Sequence, residues 1–338
     1  MNRRVFLFSS AAMTAAACAP MVQSRGTPGL GFSGPHLTSD AFVSIDGARL
    51  GLSHWVSDEE PWAVIAGLHG MNDYANAFHF WGEWGQARGI ATYAIDQRGF
   101  GRSPERGVWG GDDLMVDDVR ALCAVLRAKH PKAIIAIAGI SMGGAVAIDA
   151  MASDPAPDAD RTLLLSPAVW GWSEQPLPNR AMLWLSAHTI RSKVWTPPAW
   201  LTRKVRPTDN IDELYRMGTD RQMIWGARSD TLYGLVDMMD RGQERIGAVR
   251  GPVAYFYGAN DEIIPKKPAR KAAAQLPPEA RSAYYAKGFH LLLVDHQREA
   301  VFADMVAFLK DPGAPFPSGA PPIVAAPESG LVTRAPEA

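Results

Sequence analysis

The sequence has little cysteine: two residues in 338, Cys18 and Cys123. This argues against a disulfide framework and against a thiolate metal cluster. Charge of one sign is also missing. Lys and Arg total 34 against 35 Asp and Glu, for a net charge of −1, and no stripe of basic residues marks a nucleic-acid surface. Internal repeats are absent, as is a G-x-G-x-x-G that opens a helix. No motif calls for a metal or a cofactor. Long hydrophobic runs are missing as well: the apolar stretch from Val5 to Ala17 is too short to span a bilayer as a mature helix. What the chain does have is 47% hydrophobic and 20% charged residues, the composition of a globular protein with a sizeable core. Cys123, within the helical stretch "DDVRALCAVLRAKH", reads as a small core side chain.

The first residues, "MNRRVFLFSSAAMTAAACAP", combine a basic start, an apolar run and small residues before Cys18. That layout is an export signal over residues 1–18. Arg3 and Arg4 before "VFLF" fit a twin-arginine signal, and an ordinary secretory start fits equally. "AAAC" is similar to a bacterial lipobox, in which Cys18 would be lipidated and become the new N-terminus. Ala15 and Ala17 also suit plain cleavage before Cys18. The expectation is an exported cell-envelope lipoprotein facing the periplasm, held to the membrane through Cys18. Residues 19–38, rich in Gly, Pro and Ser, read as a flexible linker. Residues 311–338, rich in Pro and Ala, read as a disordered tail.

Between them, residues 39–310 alternate short apolar runs with helical stretches. "AFVSIDG" and "ARLGLSHWVS" read as an antiparallel pair. "WAVIAGLHG", "GIATYAIDQRG", "AIIAIAGIS", "RTLLLSPAV", "PVAYFYGAND" and "SAYYAKGFH" do not alternate in polarity, so they suit strands buried on both faces of a parallel sheet. Helical stretches lie between them, which predicts a doubly wound α/β domain. Residues 168–247 break the rhythm and read as a helical cap inserted after the sixth strand. Trp170, Trp172, Trp184, Trp195, Trp200 and Trp225 fall inside it. They suit a small core of the insertion's own, or an apolar wall over a pocket.

Chemistry centres on "IAIAGISMGG", where Ser141 sits in G-x-S-x-G between a buried strand and a helix rich in small residues. That is the context of a nucleophile elbow, whose glycines permit a tight turn. A serine hydroxyl needs a base. Of the three histidines that follow, His188 lies in the insertion and His296 reads as a helix surface residue. His290 comes directly after the last strand-like run and is the candidate. Asp261, at the loop position of "VAYFYGANDEIIP", is the acid that would orient it, with Glu262 adjacent. Two backbone N–H groups would stabilise an oxyanion: that of Met142, after the nucleophile, and that of Met71, in "AGLHGMND". His69 reads as a loop support, and Arg98, Gly99 and Gly101 as loop structure beside the site.

"HGMND", "DQRGFGRS", "GISMGG", "GANDEIIP" and "GFHLLL", in this order and spacing, resemble the α/β-hydrolase superfamily over roughly residues 40–310. More narrowly they resemble its monoacylglycerol lipase and lysophospholipase branch, also described as serine aminopeptidase-like. The resemblance implies an α/β-hydrolase fold, a mostly parallel sheet flanked by helices. It also implies hydrolysis of a small acyl ester or lipid, such as a monoacylglycerol or lysophospholipid, under an apolar lid. One departure bears on the loop after His69-Gly70: that branch often has Glu-His where Asp73 and Tyr74 stand here. An amidase or aminopeptidase on the same residues is the alternative. It would need cap carboxylates for the substrate's amino terminus, drawn from Glu174, Asp209, Asp212, Glu213, Asp220 and Asp230. A silent binding protein of this fold would be expected to lack one of the three catalytic side chains.

Overall fold

The computed structural model describes residues 19–198, 200 and 205–326. Eleven strands, β1 (His36–Leu37), β2 (Ala41–Val43), β3 (Arg49–Trp55), β4 (Ala63–Leu68), β5 (Ile90–Ile95), β6 (Ile134–Ile140), β7 (Arg161–Leu165), β8 (Val194–Trp195), β9 (Ala227–Arg228), β10 (Val253–Gly258) and β11 (Arg281–Tyr285), are present among these residues. Nine of them form one sheet, in the order β1-β2-β3-β5-β4-β6-β7-β10-β11. The first three run antiparallel to their neighbours and every other pairing in this sheet is parallel, while β8 and β9 form a separate antiparallel pair. The Val/Ile/Ala runs of β4, β5 and β10 are buried at every position, as a sheet covered on both faces requires.

Helices among the described residues include α1 (His79–Gln86), α2 (Asp112–Lys129), α3 (Met142–Met151), α4 (Leu177–Thr189), α5 (Ile211–Thr219), α6 (Ser229–Arg245), α7 (Lys266–Gln275) and α8 (Arg298–Lys310). Met115, Val119, Leu122 and Leu126 of α2 join Met142 and Val146 of α3 in the core on one face. Trp81 of α1 and Phe302, Met305 and Phe308 of α8 build the core on the other. Cys123 is buried in the first, as expected. Parallel strands end at one edge of the sheet, and crossover connections put the loops after β4, β6, β10 and β11 there together.

Three expectations need correction. The cap follows the seventh strand rather than the sixth, because the two-residue β1 precedes the antiparallel pair. The supposed flexible linker is docked over Val22–Gly26, while Thr27 and Gly29–Gly31 are exposed. Val22 bridges to Trp109, the Gln23 amide donates to Trp109 O at 2.9 Å, and Gln23 Nε2 donates to Val108 O at 3.1 Å. Glycine and proline cannot build a helix there, but backbone and Gln23 groups find partners in an existing groove. The supposed disordered tail packs as far as residue 326: Phe316 and Ile323 are buried and Tyr284 N donates to Pro321 O at 2.8 Å. Its few apolar side chains cover the β10–β11 edge, a role invisible in a sequence without periodicity. Residues 1–18, including Cys18, and residues 327–338 lie outside the described residues.

Candidate active site

Ser141 follows β6 with φ 51° and ψ −114°, a conformation that L-residues rarely adopt. The surroundings enforce it. Ser141 N donates to Leu165 O at 3.0 Å, Ala168 N donates to Ser141 O at 2.9 Å, and Gly143 N donates to His69 O at 3.1 Å. The flanking glycines are required by space. A Cβ on Gly139 would lie 2.4 Å from Gly143 O, and one on Gly143 would lie 2.2 Å from Leu68 O. Strand, turn and helix therefore interlock as the motif predicts, and Ser141 is 8% exposed.

His290 and Asp261 meet at the same edge. Asp261 Oδ1 accepts the amides of Ile263 at 2.8 Å and Ile264 at 2.9 Å, which fixes the carboxylate. Its Oδ2 lies 2.8 Å from His290 Nδ1. A carboxylate can only accept, so Nδ1 carries the proton and Nε2 is left free to accept another. Close approach of the two loops depends on Gly258, where a Cβ would lie 2.2 Å from Phe289 O. Among the described residues Ser141 Oγ holds no hydrogen bond, so its contact with His290 is not closed in this structure. Glu262 is used elsewhere: it accepts from Arg206 N at 2.9 Å. His188 Nδ1 lies 2.7 Å from Trp184 O, within the cap, and His296 is exposed in the turn before α8 rather than on a helix.

The Met142 amide opens α3, where the first amides have no partner within the helix. The loop carrying Met71 is pinned by His69. Gln97 N donates to His69 Nε2 at 2.9 Å, so His69 Nδ1 bears the proton and donates to Gly70 O at 2.7 Å. Full burial pushes the His69 pKa down to about 4, which keeps the ring neutral. A trans peptide sets its C=O and N–H on opposite sides, so holding the Gly70 carbonyl turns the Met71 N–H the other way. A Cβ on Gly70 would stand 3.3 Å from Ser141 Cβ, which places this loop against Ser141.

Sequence reading missed Gln97, which also donates through Nε2 to His69 O at 2.7 Å. Nothing local to "DQRG" signals that contact. Arg98, read as loop structure, is buried between Asp46 and Asp118, with bonds of 2.7–3.0 Å. Four of the six cap tryptophans are not in a core: Trp184, Trp195, Trp200 and Trp225 are exposed, whereas Trp170 and Trp172 are half-buried. Most of the cap carboxylates already have partners. Glu213 and Asp220 hold Arg216, Glu174 holds Lys271, Asp230 holds Arg228, and Asp209 accepts from His296 N. Asp73 is buried behind this cluster, and desolvation pushes its pKa up to about 7. Among the described residues no group of His, Cys, Asp and Glu could hold a metal ion.

Residues 59–297 match the serine aminopeptidase, S33 family. A monoacylglycerol lipase of Mycolicibacterium smegmatis is 22% identical over 284 residues, spanning 80% of this chain and 95% of the lipase. Among solved structures, the monoacylglycerol lipase of Paleococcus ferrophilus superposes with a TM-score of 0.64 at 18% identity, covering 78% of this chain and 99% of its own. A soluble variant of the monoglyceride lipase of Saccharomyces cerevisiae, solved with a substrate analogue, gives 0.65 at 17% identity, covering 86% and 100%. The motif set, the elbow and the sheet order agree with these matches: the chain belongs to the serine aminopeptidase S33 family and has the α/β-hydrolase fold.

Proposed function

We propose that this protein is a serine hydrolase of carboxylic esters, of monoacylglycerol lipase or lysophospholipase type. The carrying observation is the strained Ser141 elbow at the sheet edge that also bears the His290–Asp261 pair. In this reading Ser141 Oγ attacks the ester carbonyl while His290 Nε2 takes its proton. The Met71 and Met142 amides stabilise the oxyanion, and Asp261 stabilises the imidazolium. His290 then protonates the leaving alcohol, and water, activated by His290, releases the acid from Ser141. The names of the similar lipases support a glyceride substrate. Ion pairing of Glu174, Glu213, Asp220 and Asp230 within the protein leaves little to hold a substrate's amino terminus, and this favours an ester over an aminopeptide.

The test is covalent labelling by a fluorophosphonate, with turnover of monoacylglycerols, lysophospholipids, p-nitrophenyl esters and aminoacyl arylamides. Labelling and ester turnover are expected in the parent and abolished in Ser141→Ala. A folded protein that is not labelled, or one that turns over only the arylamides, would overturn the reading.

We further propose that the protein is exported and held at the membrane through Cys18. Two observations support this. Arg191 of the cap donates to Ala19 O at 3.0 Å, so Ala19 lies on the cap side. No Asp or Glu occurs between Glu174 and Asp209, a stretch with Arg180, Arg191, Lys193 and the exposed Leu177, Trp184 and Trp195. Aromatic and cationic side chains without acidic ones suit an anionic bilayer surface.

A further inference from the structure

Two loops must hold their relative positions for the proposed chemistry: the loop with Met71 and the loop with His290. Each is anchored to the core on one side. His69 and Gln97 hold the first, together with the Ala75 amide, which donates to Asp96 Oδ1 at 2.9 Å. The second rests on Asp261 and on Asn260 N, which donates to Gly288 O at 2.8 Å. The other side of both loops is held by one stretch of the cap, Pro207 to Ile224.

At one end of that stretch, Leu291 N donates to Pro207 O at 2.8 Å. Thr208 Oγ1 donates to Asp295 Oδ1 at 2.6 Å, and Asp295 Oδ2 accepts the Phe289 amide at 2.8 Å. Both residues flanking His290 are thereby tied to the cap. Asn210 Nδ2 adds a bond to Val294 O at 3.0 Å, while its Oδ1 accepts from Glu213 N and caps α5. At the other end, Ile224 N donates to Asn72 O at 3.0 Å and Tyr74 Oη donates to Asp220 Oδ2 at 2.7 Å. Asn72 adopts φ 65°, which turns its carbonyl toward the cap. Between the ends, Arg216 joins Glu213 at 2.6 Å and Asp220 at 3.0 Å. Gln222 N donates to Asp220 Oδ1 at 2.8 Å. Arg106 of the core donates to the carbonyls of Arg221, Gln222 and Met223.

We propose that Pro207–Ile224 is a brace that sets the catalytic base and the Met71 oxyanion donor against each other, with Thr208 and Asp220 as its positioning residues acting through Asp295 and Tyr74. The inference rests on the serine-hydrolase reading and goes beyond it. In it the cap segment completes the geometry of the reacting groups even for a substrate too small to touch it. The Tyr74 that departs from the usual Glu-His pair gains its role here, as the hydroxyl that reaches Asp220.

The experiment compares full-length Tyr74→Phe, Thr208→Val and Asp220→Asn with the parent on p-nitrophenyl acetate. Each is expected to lower kcat about tenfold or more, since small displacements of reacting groups carry such penalties. KM is expected to stay within about twofold, because ground-state contacts are unchanged. Asp220→Glu should recover more kcat than Asp220→Ala, and melting temperatures should not account for the loss. Parent-like kcat in Tyr74→Phe and Thr208→Val would overturn the brace, as would a rise in KM alone. A kcat loss that vanishes at a temperature where the variant is fully folded would also overturn it. Ser141→Ala run alongside separates the two ideas. If it is inert while the brace variants match the parent, the brace fails and the hydrolase stands; if it is active, the hydrolase reading itself fails.

Discussion

His69 illustrates how much one buried side chain decides. Its neutral ring accepts from Gln97 N and donates to Gly70 O, so a leucine of similar bulk would leave the Gln97 amide buried and unpaired, while Gly70 O would keep only the bond from Asp73 N at 3.3 Å. An orphaned amide costs about 1–3 kcal/mol, so His69→Leu is expected to lose about 1–3 kcal/mol in urea unfolding near neutral pH. The gap between parent and variant should narrow in acid. The folded-state pKa of His69 is about 4, below the ordinary 6.5, so the unfolded chain binds the extra proton between those values. Stability from the parent histidine is therefore complete above pH 6.5 and falls as pH drops towards 4, on the order of 3 kcal/mol over the window, while leucine has nothing to lose. A gap that stays constant from pH 7 to pH 4 would contradict the neutral, buried histidine. Sequence reading recognised His69 as a loop support but not its partner, because Gln97 lies in a different βα loop and meets it only when β4 and β5 pair.

At the level of elements, the elbow is the most legible feature. An apolar strand, G-x-S-x-G and a helix of small residues prescribe a close strand–helix contact, and the contact is there between Gly139 and Gly143. Gly143→Ala would place a methyl 2.2 Å from Leu68 O, a backbone atom that cannot swing away. α3 must then move off the end of β4. The expected outcome is destabilisation of about 1–3 kcal/mol together with slower fluorophosphonate labelling; labelling at the parent rate would argue against the shared packing of the elbow and the Met71 loop. The cap was legible as an interruption of the strand–helix rhythm. Its tryptophans were not, because a tryptophan count carries no direction, and α4 turns Trp184 outward while only Ala187 of that helix is buried.

For the whole molecule, near-zero net charge conceals a sided distribution. The acid-free stretch from Gln175 to Thr208 lies in the cap, and the docked N-terminal segment ends beside Arg191. A chain starting at Ala19, free of any lipid, is expected to bind vesicles of phosphatidylglycerol and phosphatidylethanolamine, with weaker binding at high salt. Arg191→Glu with Lys193→Glu should weaken it by about 1 kcal/mol per basic residue lost or more. Equal binding to pure phosphatidylcholine vesicles, insensitive to salt, would remove the electrostatic part of the proposal. Candidate residues Ser141, His290, Asp261, Met71 and Met142 were nameable because each stands at the end of a buried apolar run, and runs of that kind become parallel strands whose ends share one edge.

Local patterning thus determined the α/β alternation, the elbow and the order of the candidate groups Ser141, Asp261 and His290. Hydrophobic runs and glycines act over a few residues and are read directly. Only the tertiary structure decided that part of the N-terminal linker and the first part of the tail are docked, that most of the cap carboxylates are paired, and that one stretch of the cap joins the His290 loop to the Met71 loop. Those outcomes depend on hydrogen bonds between residues dozens of positions apart, such as Tyr74 with Asp220 and Thr208 with Asp295, which no local spacing encodes.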